Sequence, residues 1–146
     1  KIKYVINVQG DMPFVDLLVI GQIITMLKTG EYDIVTSGVK IGRDIAQSES
    51  NVKVVVDKQG RALYFSRSVI PFARNVSSHY YKHIGIYAYR EDVLHQLTQL
   101  SPTPLEQAES LEQLRWMENG FSITVVPTEI ETIGIDTPED LNKISG

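Results

Sequence analysis

The chain has 146 residues, 42% hydrophobic and 22% charged, which fits one soluble domain able to bury a sizeable core. Against 18 acidic residues stand 14 basic ones, a net charge of −4 that argues against a broad nucleic-acid-binding face. There is no cysteine, so disulfides and thiolate metal sites are excluded, and no apolar run approaches the roughly 18 residues of a membrane span.

Tyr4 to Val8 is near-continuously apolar and predicts a strand buried on both faces. The run ends abruptly in Gln9, Gly10, Asp11, Met12 and a proline. Asp16 suits the N-cap of a helix in which Ile20, Ile23, Ile24 and Leu27 recur at helical spacing, with Gly30 as its stop. Tyr32 to Ser37 predicts a second strand, and the polar stretch through "GRDIAQSESN" predicts a loop. Val52 to Asp57, the turn "KQGR" and Ala62 to Ser66 predict a hairpin. "SVIPFARNVSSH" connects it to a strand over Lys82 to Tyr89 and a helix from Arg90 to about Leu100.

"SPTPLEQAESLEQLRWMENG" predicts one continuous helix. Thr103 is its N-cap, Pro104 its first residue, Glu106 completes a capping box, and Asn119-Gly120 ends it. Strands over Ser122 to Val126 and Glu131 to Ile135 follow, then a last helix opened by Thr137-Pro138. Strands alternating with helices predict an α/β three-layer sandwich with a mostly parallel, mixed sheet, in a single domain over residues 1–146. The chain opens without methionine, directly into a strand pattern, and "KIKYVINV" is too short and mixed for a signal peptide. The expectation is a cytoplasmic protein whose numbering begins inside a longer one, or from which an upstream piece has been lost.

Ligands of open α/β sheets bind beyond the carboxyl ends of strands. Asp11 and Asp136 each follow a predicted strand. Brought together, two carboxylates there would suit Mg²⁺; taken singly, each also suits a turn or cap. Gln9 would point from its strand end into the same crevice. Leu105, Ala108, Glu112 and Trp116 follow one another at steps of three and four, which puts an acid in an apolar helix row. Glu112 would accept hydrogen bonds from a hydroxylated ligand, or else pair with Arg115 or lie on a solvated edge. His83, Gly85, Tyr87 and Tyr89 share one strand face, suited either to a sugar site or to a half-exposed sheet surface. Arg67 follows a strand and suits a carboxylate or phosphate, or a surface ion pair.

Five segments in order, "INVQGDMPFV", "ALYFSRSVIPFAR", "KHIGIYAYR", "SPTPLEQAESLEQLRWMENG" and "GIDTPEDL", together resemble the 3-deoxy-manno-octulosonate (KDO) cytidylyltransferases, or CMP-KDO synthetases. The resemblance runs from about residue 3 to residue 142. It implies a nucleotide-diphospho-sugar transferase-like fold and the reaction of CTP with KDO to CMP-KDO and diphosphate, for lipopolysaccharide biosynthesis. It implies Asp11 and Asp136 as catalytic Mg²⁺ ligands. Gln9, Arg67, His83, Tyr87, Glu112 and Gln113 would form the KDO site, with Arg67 facing the sugar carboxylate and Glu112 and Gln113 holding hydroxyls. It also implies a homodimer, with the hairpin-to-His83 region as its interface, and no membrane or nucleic-acid partner.

Two departures stand out. Met12 occupies the place where the family usually has Glu. Members also begin with roughly ninety further residues carrying a glycine- and basic-rich loop that grips CTP, the kind of loop in which backbone N–H groups cradle phosphate. The chain is therefore expected to be the C-terminal part of such an enzyme, fold-incomplete at its N-terminus and a poor catalyst alone. The rival expectations are a non-catalytic module that binds a sugar acid or dimerises, and a CMP-sialic acid synthetase-like activity.

Overall fold

The computed structural model describes residues 3–8, 17–30, 32–75 and 79–128. Gln9, Asp11, Met12, Asp16, the strand expected over 131–135, Asp136 and the last helix lie outside these residues.

Six strands form one sheet. β1 (Tyr4–Val8), β2 (Ile34–Ile41), β3 (Lys53–Val56), β4 (Ala62–Ser66), β5 (Tyr80–Arg90) and β6 (Ile123–Thr128) are joined by helices α1 (Leu17–Thr29), α2 (Arg43–Ala46), α3 (Glu91–Leu97), α4 (Pro104–Glu109) and α5 (Gln113–Glu118). The strand order is β4-β3-β5-β2-β6, with β1 also on β5. The 11-residue β5 is the spine. β2 lines one of its edges, while β3, beside Tyr81 and Lys82, and β1, beside Ile86 to Arg90, share the other.

The expectation of a mostly parallel sheet needs correction. Among the described strands only β2–β6 pair in parallel; β1–β5, β2–β5, β3–β5 and β3–β4 are antiparallel. The reason is β5, which runs against its neighbours and separates strands that share a direction. β1, β2, β3 and β6 all point one way, so the carboxyl ends of β1 and β6 face the same end of the sheet.

Both faces are covered, as in a three-layer sandwich. Val19, Ile23 and Leu27, spaced by four on α1, are buried against Val35, Val39, Ile84, Ile86 and Ala88. The opposite face buries Ile34, Val54, Phe65, Tyr87, Tyr89 and Ile123 under Val93, Leu97, Leu111, Leu114 and Trp116 of the remaining helices and their junction. Strand periodicity thus sorts the residues of β5 as the sequence predicts, with His83, Tyr87 and Tyr89 opposite Ile84, Ile86 and Ala88.

The hairpin forms where expected. Asp57 Oδ1 accepts the N–H groups of Gln59 and Arg61 at 2.8 and 2.9 Å. Its tip folds back on β6, where the Val125 N–H donates to the Gly60 carbonyl at 2.8 Å. Gly60 has φ +85°, and a Cβ there would lie 3.3 Å from the Val125 carbonyl oxygen, so glycine is required. The loop predicted after the second strand is shorter than expected. β2 continues to Ile41 because Gly38 to Ile41 pair with His83 to Tyr80, and the short α2 follows.

Candidate functional site

The expected continuous helix breaks in the middle. α4 ends at Glu109, Ser110 adopts the left-handed conformation at φ 56°, and α5 starts at Gln113. Contacts from β4 and from Arg67, the residue after it, hold this corner open. The Arg67 guanidinium donates through Nε to the Glu109 carbonyl at 2.8 Å and through its other nitrogens to the Ser110 and Glu49 carbonyls, both at 3.2 Å. The Glu109 carboxylate in turn accepts the Ser66 hydroxyl at 2.6 Å, the Arg67 N–H at 3.0 Å and the Tyr64 hydroxyl at 3.1 Å. Burial alone would push the Glu109 carboxyl up, but the bonds from Ser66, Arg67 and Tyr64, with the Arg67 charge, bring it below the ordinary carboxylate value.

Across the break, Arg115 grips Glu106 with both Nε and Nη2, so Arg115 pairs with Glu106 rather than with Glu112. Glu106 also accepts the Thr103 N–H at 3.2 Å, the expected back-bond of the capping box. The bonds from Arg115 are the main cause of a lowered Glu106 carboxyl. α5 closes in a Schellman turn: Gly120 at φ +89° donates to Met117, and Phe121 donates to Trp116.

The row of Leu105, Ala108, Glu112 and Trp116 is therefore not one helix face. Glu112 is exposed at the N-cap of α5, and Gln113, its first residue, is buried. α5 lies on the aromatic face of β5, where Trp116 meets Tyr87 edge-on at 5.1 Å and Tyr89 at 6.4 Å between centroids. Tyr87 in turn lies 5.3 Å from His83, which stacks edge-on to Phe65 at 5.0 Å. This row runs along β5 from the end of β4 to α5.

The half-exposed alternative for this sheet face does not hold, because Tyr87 and Tyr89 are 3% and 2% exposed. Burial, then the Glu112 charge, pushes the Tyr87 hydroxyl pKa far up. Tyr89 is raised by burial and by Glu112, against an opposing hydrogen bond with the Asn7 side chain. Glu112 thus lies close enough to act on both hydroxyls, and Asn7 brings β1 to the same face. Burial holds the His83 imidazole down at about 3, so the ring is neutral at physiological pH. Its Nε2 lies 3.0 Å from Thr36 Oγ1.

Behind Arg67, Lys53 is wholly buried and donates to the Ser48 carbonyl at 2.8 Å and the Arg67 carbonyl at 2.6 Å. Burial, and then the nearby Arg67 charge, lowers its ammonium pKa. Sequence reasoning missed Lys53, Glu109 and Thr36. A lysine in a strand, a glutamate on a helix and a threonine in a strand carry no local mark of their partners, which lie far along the chain. The readable signal was Ser66, a hydroxyl in an apolar strand that demands a partner when buried.

The structure brings His83 and Tyr87 to one face, with Glu112 near enough to act on the Tyr87 hydroxyl, the buried Gln113 next to Glu112 at the start of α5, and Arg67 just beyond β4; Gln9, Asp11 and Asp136 lie outside the described residues. Among the described residues no group of three or more His, Asp or Glu could hold a metal ion. Nor, among them, is any helix long and apolar enough to cross a membrane.

Residues 1–132 match the sequence family described as cytidylyltransferase. The 3-deoxy-manno-octulosonate cytidylyltransferase of Rickettsia akari (strain Hartford) is 48% identical over 143 residues, 98% of this chain and 57% of that protein. The protein of the same name from Rickettsia massiliae (strain Mtu5) is 49% identical over the same extent. A solved structure of CMP:2-keto-3-deoxy-manno-octonic acid synthetase complexed with CTP superposes with a TM-score of 0.89 at 42% identity, covering 97% of this chain and 59% of that one. The chain spans somewhat more than half the length of these curated relatives. The resemblance carried by the five motifs and the α/β fold it implied are the ones these comparisons return.

Proposed function

The chain belongs to the cytidylyltransferase family, and from that premise we propose that it carries the sugar-binding half of an enzyme making CMP-KDO and diphosphate from CTP and KDO in the cytoplasm. The observation that carries this reading is the convergence of the separate motifs "YFSR" and "HIGIYAY" with the segment "LEQLRW" on one face of β5, through Phe65–His83, His83–Tyr87 and Tyr87–Trp116 contacts and the burial of Leu111 and Leu114 in the same cluster. The α4–α5 corner brings the Glu112 charge to bear on the Tyr87 and Tyr89 hydroxyls, and an acid and an amide side by side there suit a hydroxyl-rich ligand.

In the reaction, the anomeric hydroxyl of the sugar forms a bond to the α-phosphorus of CTP. The bond from that phosphorus to the β-phosphate oxygen breaks, diphosphate leaves with the electron pair, and the hydroxyl proton passes to solvent. Catalysis of this kind is positioning and charge stabilisation. Arg67 uses three N–H donors of its guanidinium on backbone carbonyls, which locks the fork in place. Two donors remain for the sugar carboxylate. Glu112 and Gln113 hold sugar hydroxyls, with Gln9 at the end of β1 and the neutral His83 and Tyr87 completing the wall. Asp11 and Asp136 would hold Mg²⁺, which would supply positive charge to offset that of the phosphates and the sugar carboxylate. What supports Asp11 in this role is its place in the sequence, three residues after β1, a strand whose carboxyl end faces the same way as that of β6. A homodimer belongs to the same reading, supported by the exposed Leu63 on edge strand β4.

The test is diphosphate release by the intact protein with CTP and Mg²⁺, comparing KDO with sialic acid. Release dependent on KDO and lost in Asp11→Asn, Asp136→Asn and Arg67→Ala is expected. Equal rates with sialic acid, or none with either sugar, would refute the assignment.

A further inference from the structure

Thr36 is fully buried on β2, opposite an irregularity of β5 in which Gly85, Ile86 and Tyr87 stand against it alone. Its Oγ1 lies 2.6 Å from the Ile86 carbonyl oxygen, 3.1 Å from that of Ile84 and 3.0 Å from His83 Nε2. Two oxygens do not sit 2.6 Å apart without a proton between them, and a carbonyl has none to give. The single hydroxyl proton of Thr36 is therefore directed to the carbonyls. Toward His83 the oxygen can only accept, so Nε2 must carry the ring hydrogen. A neutral imidazole has one such hydrogen, which leaves Nδ1 bare. Phe65 and Tyr87 flank the ring at 5.0 and 5.3 Å and fix its plane, and burial keeps it from gaining a second proton.

We propose that Thr36 is a positioning residue that fixes His83 as the Nε2–H tautomer, so that Nδ1 accepts a hydrogen bond from a hydroxyl of the sugar-acid substrate. The proposal rests on the reading of this face as a sugar-acid site. A bare ring nitrogen attracts a hydroxyl and repels carboxylate or phosphate oxygens. His83 thereby separates the hydroxyl edge of the substrate from its anionic edge, which falls to Arg67.

The first measurement is nitrogen-15 NMR of the His83 ring in the unliganded protein at neutral pH, which needs neither variant nor substrate. Protonated Nε2 and bare Nδ1 are expected, in the parent and in Thr36→Ser; a protonated Nδ1 in the parent overturns the proposal. Thr36→Val, which cannot accept the hydrogen bond, should lose the tautomer preference. The second is calorimetric titration with KDO and analogues each lacking one hydroxyl. The parent and Thr36→Ser should bind one particular analogue about tenfold more weakly than KDO, the loss of one hydrogen bond. Thr36→Val should discriminate that analogue from KDO less strongly, because Nδ1 is then bare in only part of the molecules. Equal discrimination in parent and Thr36→Val, or no discriminated analogue in the parent, overturns the proposal. If the valine variant does not fold, the parent and serine results decide. A parent that shows the expected tautomer but binds no KDO refutes the sugar-acid reading, and with it the acceptor role of Nδ1.

Discussion

Replacing Glu109 by alanine removes the acceptor at the α4–α5 corner. Three donors lose their partner at once: the Ser66 hydroxyl at 2.6 Å, the Arg67 N–H at 3.0 Å and the Tyr64 hydroxyl at 3.1 Å. They do not suffer equally. Tyr64 is half-buried and can turn to water, whereas Ser66 is 2% exposed. Ser66 keeps only the Ser68 N–H, which it accepts at 3.0 Å. A hydrogen bond to a charged acceptor is worth about 1.5–3 kcal/mol, and a donor left buried without a partner costs about 1–3 kcal/mol. With the loss concentrated in Ser66 and the Arg67 N–H, Glu109→Ala should destabilise the protein by about 2–4 kcal/mol, or about 6–12 °C in Tm. The pH dependence carries a sign. The folded-state carboxyl lies below its ordinary value of 4.5, so its contribution is present above that pH and is lost as pH falls through the folded value. The gap between parent and variant in urea unfolding, at equal m-value, should therefore be widest at neutral pH and narrow in acid. A gap under about 0.5 kcal/mol at neutral pH, or one that widens in acid, would refute the reasoning.

Three further outcomes follow from the same geometry. Gly60→Ala should cost about 1–2 kcal/mol, because φ +85° disfavours an L side chain and the new Cβ meets the Val125 carbonyl at 3.3 Å; an unshifted melting temperature would contradict the closure of the hairpin on β6. His83→Gln should flatten the acid limb of stability: with the folded-state ring at about 3 and an ordinary value of 6.5, the parent loses stability as pH drops below 6.5. The loss amounts to about 2 kcal/mol between pH 7 and pH 5, and urea unfolding at those two values should show it only in the parent. Arg115→Lys replaces the fork on Glu106 by a point charge and should cost about 1 kcal/mol in urea unfolding, with no loss at all contradicting the bidentate pair.

The parts of this fold that sequence reveals are those fixed by residues near one another in the chain. Thr103, Pro104 and Glu106 mark the start of α4, and Asn119-Gly120 marks the end of α5, because capping uses particular side chains at fixed offsets. The alternation of His83, Tyr87 and Tyr89 against Ile84, Ile86 and Ala88 is legible for the same reason. That this face is buried is not, because the covering side chains, Trp116 and Phe65, come from other elements. The direction of β5 is likewise unreadable from its own residues. So is Thr36, an ordinary β-branched strand residue until β5 places two carbonyls and an imidazole around its hydroxyl.

The break at Ser110 shows the limit most clearly. Nothing in "LEQAESLEQL" stops a helix, and no glycine marks the left-handed position. The residues that hold the corner lie at the end of β4 and just beyond it, with Arg67 reaching carbonyls 42 and 43 positions away. A left-handed non-glycine residue costs about 1–2 kcal/mol. One carbonyl contact from a guanidinium is of comparable size, and Arg67 and Ser66 together make several around Glu109 and Ser110. Long-range hydrogen bonding therefore outweighs local helix propensity at this point. The consequence is functional: the corner sets Glu112, exposed, and Gln113, buried, at the start of a new helix whose Trp116 packs on Tyr87.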